Sequence, residues 1–96
     1  MPFTHIVTFK WSDESYDDGP VAEALQALIP TLSGVQSYVC GPDAGVTANS
    51  YDFAVVGTFD DVDSFTSYRD HPEHQRIINE LIVPHLGSRT VVQLER

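Results

Sequence analysis

Cysteine and basic residues are scarce in this 96-residue sequence, and both shortages exclude classes of function. The single cysteine, Cys40, cannot form an internal disulfide, so we expect a reducing, cytoplasmic compartment. Only 5 residues are Lys or Arg against 14 Asp or Glu, which gives a formal net charge of −9. Phosphate backbones and anionic membrane surfaces both attract clusters of basic residues. We therefore expect neither a nucleic acid nor a membrane as a partner.

Long apolar runs and targeting signals are also missing. No stretch approaches the roughly 20 apolar residues that a membrane-spanning helix needs. The N-terminal segment 1–5 has no basic region followed by an apolar run, so no signal peptide is predicted. The segment Gly41–Gly45 matches neither a phosphate-binding loop nor a nucleophile elbow. The remaining composition, with 42% hydrophobic residues, predicts one small globular domain over residues 1–96.

Four segments have the pattern of β-strands. In the first, Phe3–Trp11, apolar and polar residues alternate with period two. Val35–Gly41, Tyr51–Phe59 and Thr90–Leu94 are the other three predicted strands. Alternation along the first strand places five residues on one face: Phe3, His5, Val7, Phe9 and Trp11. We expect that face to be covered by the helices.

Two helical regions separate the predicted strands. The first begins at Pro20, has apolar residues at helical spacing, and ends at Gly34. The second is split, because Asp60 or Asp61 can cap a short helix and Pro72 must begin a new one. The resulting order is strand, helix, strand, strand, split helix, strand. It predicts an α+β fold of the ferredoxin-like, split βαβ kind, with a four-stranded antiparallel sheet.

The face of the predicted sheet that lies away from the helices is half apolar. Its residues include Ile6 on the first strand and Ala54 and Val56 on the third. A sheet face of this character needs a cover, and two sheets pack about 10 Å apart. We therefore expect a homodimer in which the sheets of two copies face each other as an α/β barrel.

Three motifs in the sequence resemble the stress-responsive A/B barrel (Dabb) family of the dimeric α/β-barrel superfamily. The motifs are His5-Ile6-Val7 with Phe9-Lys10, Tyr51-Asp52-Phe53-Ala54, and Tyr68-Arg69-Asp70-His71-Pro72-Glu73-His74. They occur in the family's order across essentially the whole chain. The resemblance implies a homodimeric barrel, but it does not imply one activity, since most members have no established function.

The same resemblance implies a site. Within the family, the plant olivetolic acid cyclases cyclise a linear polyketide thioester by aldol condensation, without a cofactor. His5, Tyr68 and His74 match their functional His, Tyr and His one by one. This implies a cavity beneath the sheet, with His74 as the base and no cofactor. The cyclases carry a further tyrosine on the first helix, where this chain offers Leu25 and Leu28, so the substrate is not implied.

Each candidate residue also has a structural interpretation. His5 can bond a carbonyl or carboxylate from an apolar wall, and Tyr68 can pack in the core with its hydroxyl satisfied. His71 and His74 can tie the helix after Pro72 to the sheet. In the functional interpretation, an imidazole with an unperturbed pKa near 6.5 suits a general base at neutral pH.

The sequence leaves two functions open. One is a protein that binds, or transforms, a small apolar carbonyl compound. The other is a non-catalytic dimer with a stress-related or structural role. An open space between His5 and His74 favours the first, and a space collapsed onto core side chains favours the second. The four histidines offer nitrogen ligands, but their spacing defines no metal site, and we predict none.

Overall fold

The chain folds in the order strand, helix, strand, strand, split helix, strand, as the sequence predicts. A computed structural model describes all 96 residues. The four strands are β1 (Phe3–Trp11), β2 (Val35–Pro42), β3 (Phe53–Phe59) and β4 (Leu86–Glu95). The three α-helices are α1 (Gly19–Leu28), α2 (Val62–Asp70) and α3 (Pro72–Ile77). Shorter turns extend two of the helices: 3-10 turns at Ile29–Thr31 and Val83–His85, and a π-helical turn at Ile78–Ile82.

The four strands form one antiparallel sheet in the order β2-β3-β1-β4. His5 on the central strand β1 lies opposite Gly57 of β3 on one side and Gln93 of β4 on the other. Residues opposite each other in an antiparallel pair have side chains on the same face of the sheet. The predicted ferredoxin-like fold is therefore confirmed, and β1 and β4 present matched rows of side chains to the helices.

Two predicted strand starts are wrong, and the second and fourth strands each end one residue later than predicted, at Pro42 and Glu95. The third strand begins at Phe53 and not at Tyr51, and at its start the Asp52 carboxylate accepts the backbone N–H of Trp11 at 2.8 Å. The fourth strand begins at Leu86 and not at Thr90. A bulge at the end of β1 allows Trp11 to pair with Leu86, so the ladder continues four residues further than the alternation indicates.

The helical region after β3 is broken at Pro72, as predicted. His71, with φ −59° and ψ 132°, leaves the helical conformation and joins α2 to α3. This agrees with the restriction that proline imposes on the residue before it. At the start of α2, the carboxylate of Asp61 accepts the backbone N–H of Ser64 at 2.8 Å, which identifies Asp61 as the cap.

The core lies between the inner face of the sheet and the helices, in two parts. The larger part contains Val7, Phe9, Trp11, Val21, Leu25, Cys40, Phe53, Val55, Ile77 and Ile82. The smaller contains Phe3, Leu28, Phe59, Phe65 and Tyr68. The opposite face of the sheet has no helix over it, and Val39, Val92 and Leu94 are exposed there. None of the helices has the length and apolar character that crossing a bilayer requires.

Candidate functional site

A cavity of about 220 Å³ lies between the sheet and the split helix. His5, Tyr68 and His74 all line it. Phe9 and Leu25 contribute to its apolar wall, along with residues of β3, β4 and the segment 78–83. Trp11 and Leu28 pack in the core without reaching it. The space between the two histidines is therefore open and has not collapsed onto the core side chains.

His5 reaches the cavity from β1, where alternation directs it to the helix side of the sheet. Its neighbour across the β1–β4 pair, Gln93, donates from its amide nitrogen to Nδ1 of His5 at 3.1 Å. Because Nδ1 accepts, the ring proton of neutral His5 is on Nε2. Burial, together with the nearby charges of His74 and Arg89, lowers the pKa of His5 to about 4. At neutral pH His5 is therefore an uncharged Nε2–H donor.

His74 is 8% exposed and reaches the cavity from the first turns of α3. Its Nδ1 lies 2.9 Å from the backbone carbonyl oxygen of Arg69. A carbonyl can only accept, so Nδ1 carries the proton and Nε2 keeps a free lone pair. Burial lowers the pKa of His74, while the hydrogen bond to the Arg69 carbonyl opposes that shift. His74 is therefore neutral at pH 7, with Nε2 available as a base.

Both free ring nitrogens are accessible. Nε2 of His5 and Nε2 of His74 have no hydrogen-bond partner in the protein. No fully buried side-chain nitrogen or oxygen in the structure lacks a partner. Each Nε2 must therefore reach space that a small molecule or water can enter.

Tyr68 lies in the last turn of α2 and is 3% exposed. Its ring centroid is 4.2 Å from that of His74. Its hydroxyl lies 2.8 Å from the hydroxyl of Tyr38 on β2. Burial raises the pKa of Tyr68 to about 12, and the hydrogen bond with Tyr38 acts in the opposite direction. Tyr68 is thus a neutral phenol at the cavity wall, with its hydroxyl oriented by Tyr38.

The His71-Pro72-Glu73-His74 tetrapeptide divides into structural and cavity-lining residues. His71 lies outside the cavity lining, and its Nδ1 accepts the backbone N–H of Glu73 at 3.1 Å, which caps α3. Glu73 forms an ion pair with Arg76 and does not orient His74. Of the four residues, only His74 faces the cavity.

Three residues that support the site were not identified from the sequence. Tyr38 orients Tyr68, Gln93 orients His5, and Arg89 lines the cavity. Gln93 and Arg89 follow from the β1–β4 register, because they lie opposite His5 and Phe9. Once the register is known, the alternation of residues 89, 91 and 93 along the fourth strand predicts that all three face the cavity. Tyr38 has no such signal, since its partner belongs to a distant helix.

No group of three His, Cys, Asp or Glu residues lies close enough together to hold a metal ion. The cavity wall contains two imidazoles but no thiol or carboxylate. What the wall combines is one unprotonated imidazole nitrogen, two neutral hydrogen-bond donors and an apolar lining. Chemically, that set can bind an uncharged carbonyl group and accept a proton from a neighbouring carbon.

Several solved structures are similar to this chain over nearly its whole length. A dimeric ferredoxin-like protein of unknown function from Thermobifida fusca is 37% identical, with a TM-score of 0.89, and the match covers 100% of this chain and 92% of that one. A Dabb family protein with a ferredoxin-like fold from Mesorhizobium loti is 18% identical, with a TM-score of 0.78 and coverage of 99% and 96%. A hydroxynitrile lyase from Passiflora edulis is 17% identical, with a TM-score of 0.78 and coverage of 97% and 91%. The last two likenesses concern the fold alone.

Comparison with curated proteins gives no match. The family model described as the stress responsive A/B barrel domain, Dabb, matches residues 3–95. This match spans all four strands and all three helices. The chain therefore belongs to the stress responsive A/B barrel (Dabb) domain family.

Proposed function

We propose that the cavity binds a small apolar carbonyl compound and that His74 removes a proton from the carbon next to the carbonyl. One observation supports this most directly. The backbone carbonyl of Arg69 holds the proton of His74 on Nδ1, and so leaves a basic Nε2 in a cavity that Tyr68 and His5 also line. A base in the required tautomer and two neutral donors share one apolar space.

The proposed step transfers one proton and moves one electron pair. Nε2 of His74 takes the proton, the C–H electron pair forms a C=C bond, and the carbonyl oxygen becomes an enolate oxygen. The Tyr68 hydroxyl and Nε2–H of His5 donate hydrogen bonds to that oxygen. In a substrate with a second carbonyl, the enolate carbon can attack it and close a ring, as in an aldol-type, polyketide cyclase-like reaction. A general base typically contributes about 10² to 10⁴ in rate.

The cavity limits the size of the ligand. Its volume of about 220 Å³ exceeds the roughly 150 Å³ of a protein cavity that binds benzene. A single aromatic ring with a short carbonyl side chain fits this space, and a large fused-ring system does not. Phenylacetone, whose CH₂ group lies between a ring and a ketone, is therefore a suitable probe.

The test is deuterium exchange at that CH₂ group, followed by proton NMR in D₂O. We expect the wild-type protein to accelerate exchange and His74→Gln to lose about 10²-fold or more of that acceleration, since the amide of Gln is not a base. The matched control is His71→Gln, which replaces the neighbouring histidine that caps α3. It should lower the melting temperature and leave the exchange rate per folded protein unchanged.

If the wild type and His74→Gln are both folded and accelerate deuterium exchange equally, His74 is not the base. Binding of phenylacetone is measured separately, from NMR chemical-shift changes at the residues that line the cavity. Binding without exchange would support a binding protein and would contradict the base.

We also propose that the chain is a homodimer in a reducing cytoplasm. The homodimer is supported by the uncovered apolar face of the sheet, where Val39 is 62% and Val92 55% exposed. The Thermobifida fusca relative is described as dimeric, which agrees with it. The buried, unpaired thiol of Cys40 fits the compartment. A non-catalytic dimer with a stress-related or structural role is the alternative function that this face favours.

A further inference from the structure

The charge of the cavity wall is opposite to that of the chain. The chain carries 14 acidic and 5 basic residues, yet the 16 residues of the cavity lining include two arginines and no Asp or Glu. A carboxylate ligand would therefore meet no like charge on the wall, in a protein whose remaining surface is strongly acidic.

The two arginines of the lining differ in their partners. Arg69 forms an ion pair with Asp70, its Nε lying 2.9 Å from Oδ1, so its charge is already compensated. Arg89 forms no ion pair and no side-chain hydrogen bond within the protein. It is the uncompensated cation of the cavity.

The β1–β4 register places Arg89 at the cavity rim. Arg89 lies opposite the buried residue Phe9, so both side chains are on the helix side of the sheet. Val91 and Gln93 follow at alternate positions of β4 and line the same cavity, and Gln93 contacts His5. Arg89 itself is exposed and belongs to an edge strand. Arg89 therefore borders both solvent and the cavity.

We propose that the natural ligand is a small oxo acid, whose carboxylate pairs with Arg89 at the rim while its apolar end fills the cavity. This rests on the function proposed above and adds the anionic group of the substrate. A guanidinium presents parallel N–H donors that match a carboxylate, which makes arginine suited to this role. The charge of Arg89 also acts on the cavity interior, since it contributes to lowering the pKa of His5.

Two matched probes isolate the carboxylate. Benzoylformate and acetophenone share a phenyl ketone and differ only in carrying a carboxylate or a methyl group. Benzoylformate has no proton next to its ketone, so its binding is measured without the proposed chemistry. Dissociation constants are obtained by NMR titration of the full chain, at low and high salt.

We expect the wild type to bind benzoylformate about fivefold more tightly than acetophenone, which is the upper end of the range for an exposed charge pair. In Arg89→Gln that preference should disappear while acetophenone binding is unchanged. The control Arg96→Gln removes the same charge outside the cavity lining and should keep the preference. Added salt should reduce the preference of the wild type for benzoylformate over acetophenone, because salt screens a charge pair that is open to solvent.

Equal affinity of the wild type for the two probes, or a preference that survives in Arg89→Gln, would overturn the oxo-acid proposal and leave the carbonyl site intact. Binding of neither probe would overturn the carbonyl site as well. A third arm uses coenzyme A as competitor. Arg89-dependent competition by coenzyme A would assign the anionic group to the phosphates of a carrier and would overturn the carboxylate.

Discussion

At the scale of single residues, hydrogen-bond partners determine which ring nitrogen of each histidine is free. His74 and His5 bond through the same atom, Nδ1, but to opposite kinds of partner. The Arg69 carbonyl accepts from His74, whereas the Gln93 amide donates to His5. One ring therefore has a free lone pair on Nε2 and the other a free proton there. Only His74 therefore offers a free lone pair to the cavity, and only His5 offers a free N–H.

The lowered pKa of His5 predicts a loss of stability in mild acid. Below about pH 6.5 the unfolded chain protonates this histidine, while the folded chain keeps it neutral until about pH 4. The unfolded state then binds more protons, so the free energy of unfolding falls as the pH falls through this window. We expect His5 to change the free energy of unfolding by less than about 1.4 kcal/mol per pH unit, because the ring is only half-buried.

Urea titrations of the wild type and His5→Gln between pH 7 and pH 4 measure this slope. The variant should show the shallower decline, since it cannot titrate at position 5. An identical decline in the two proteins would mean that burial does not shift the pKa of His5.

At the scale of elements, the turn between α1 and β2 depends on a glycine. Gly34 has φ +79°, and a Cβ added there would lie 2.7 Å from Cβ of Ser64 on α2. Gly45 has nearly the same φ, +76°, but no atom lies within 4 Å of its added Cβ. We expect Gly45→Ala to cost only the left-handed conformation, about 1 kcal/mol, and Gly34→Ala to cost about 2 kcal/mol or more.

Thermal or chemical denaturation of the two variants checks this difference. The comparison isolates the close approach of Ser64, because both substitutions place an alanine at the same kind of backbone angle. Equal destabilisation of the two variants would show that α2 moves aside without cost.

Most elements followed from local signals. Alternation predicted β1 to its observed ends, and Pro72 marked the break between α2 and α3. The first helical region ends at Thr31, before the predicted stop at Gly34. The strand starts at Phe53 and Leu86 did not follow, and both lie where distant segments meet: the Asp52 carboxylate contacts Trp11, and a bulge in β1 sets the pairing of Leu86. Local patterns predict an element when its own residues determine it, and they fail where a partner from elsewhere in the chain decides.

The site divides in the same way. The family resemblance selected His5, Tyr68 and His74, and the structure places them on one cavity, although their chemical roles remain proposals. The orienting groups come from other elements. Tyr38 and Gln93 act across the sheet or between layers, and the atom that orients His74 is a backbone carbonyl, which no side-chain pattern encodes.

At the scale of the whole molecule, the uncovered face of the sheet predicts association. Val92 lies opposite Ile6 on that face and is 55% exposed. We expect the wild type to sediment at twice the chain mass of 10.6 kDa. Val92→Lys should shift it toward the monomer, because the interface would have to bury an unpaired charge.

The matched control is Val62→Lys, which changes an exposed valine on α2, on the helix side of the sheet. It should leave the dimer intact. Sedimentation of the wild type as a 10.6 kDa species at micromolar concentration would contradict the homodimer.

The central claim is that His74 is the base of a carbonyl site, and the pH dependence of α-proton exchange tests it most directly. The quantity to measure is the exchange rate of phenylacetone with the wild type, minus the rate with His74→Gln, from pH 4.5 to pH 8. Burial lowers the pKa of His74 below its ordinary value near 6.5, so the base is already unprotonated at neutral pH. The account predicts a difference that rises with a midpoint below pH 6.5 and is constant above it. A difference of zero at every pH, or one that keeps rising in proportion to hydroxide, would contradict it.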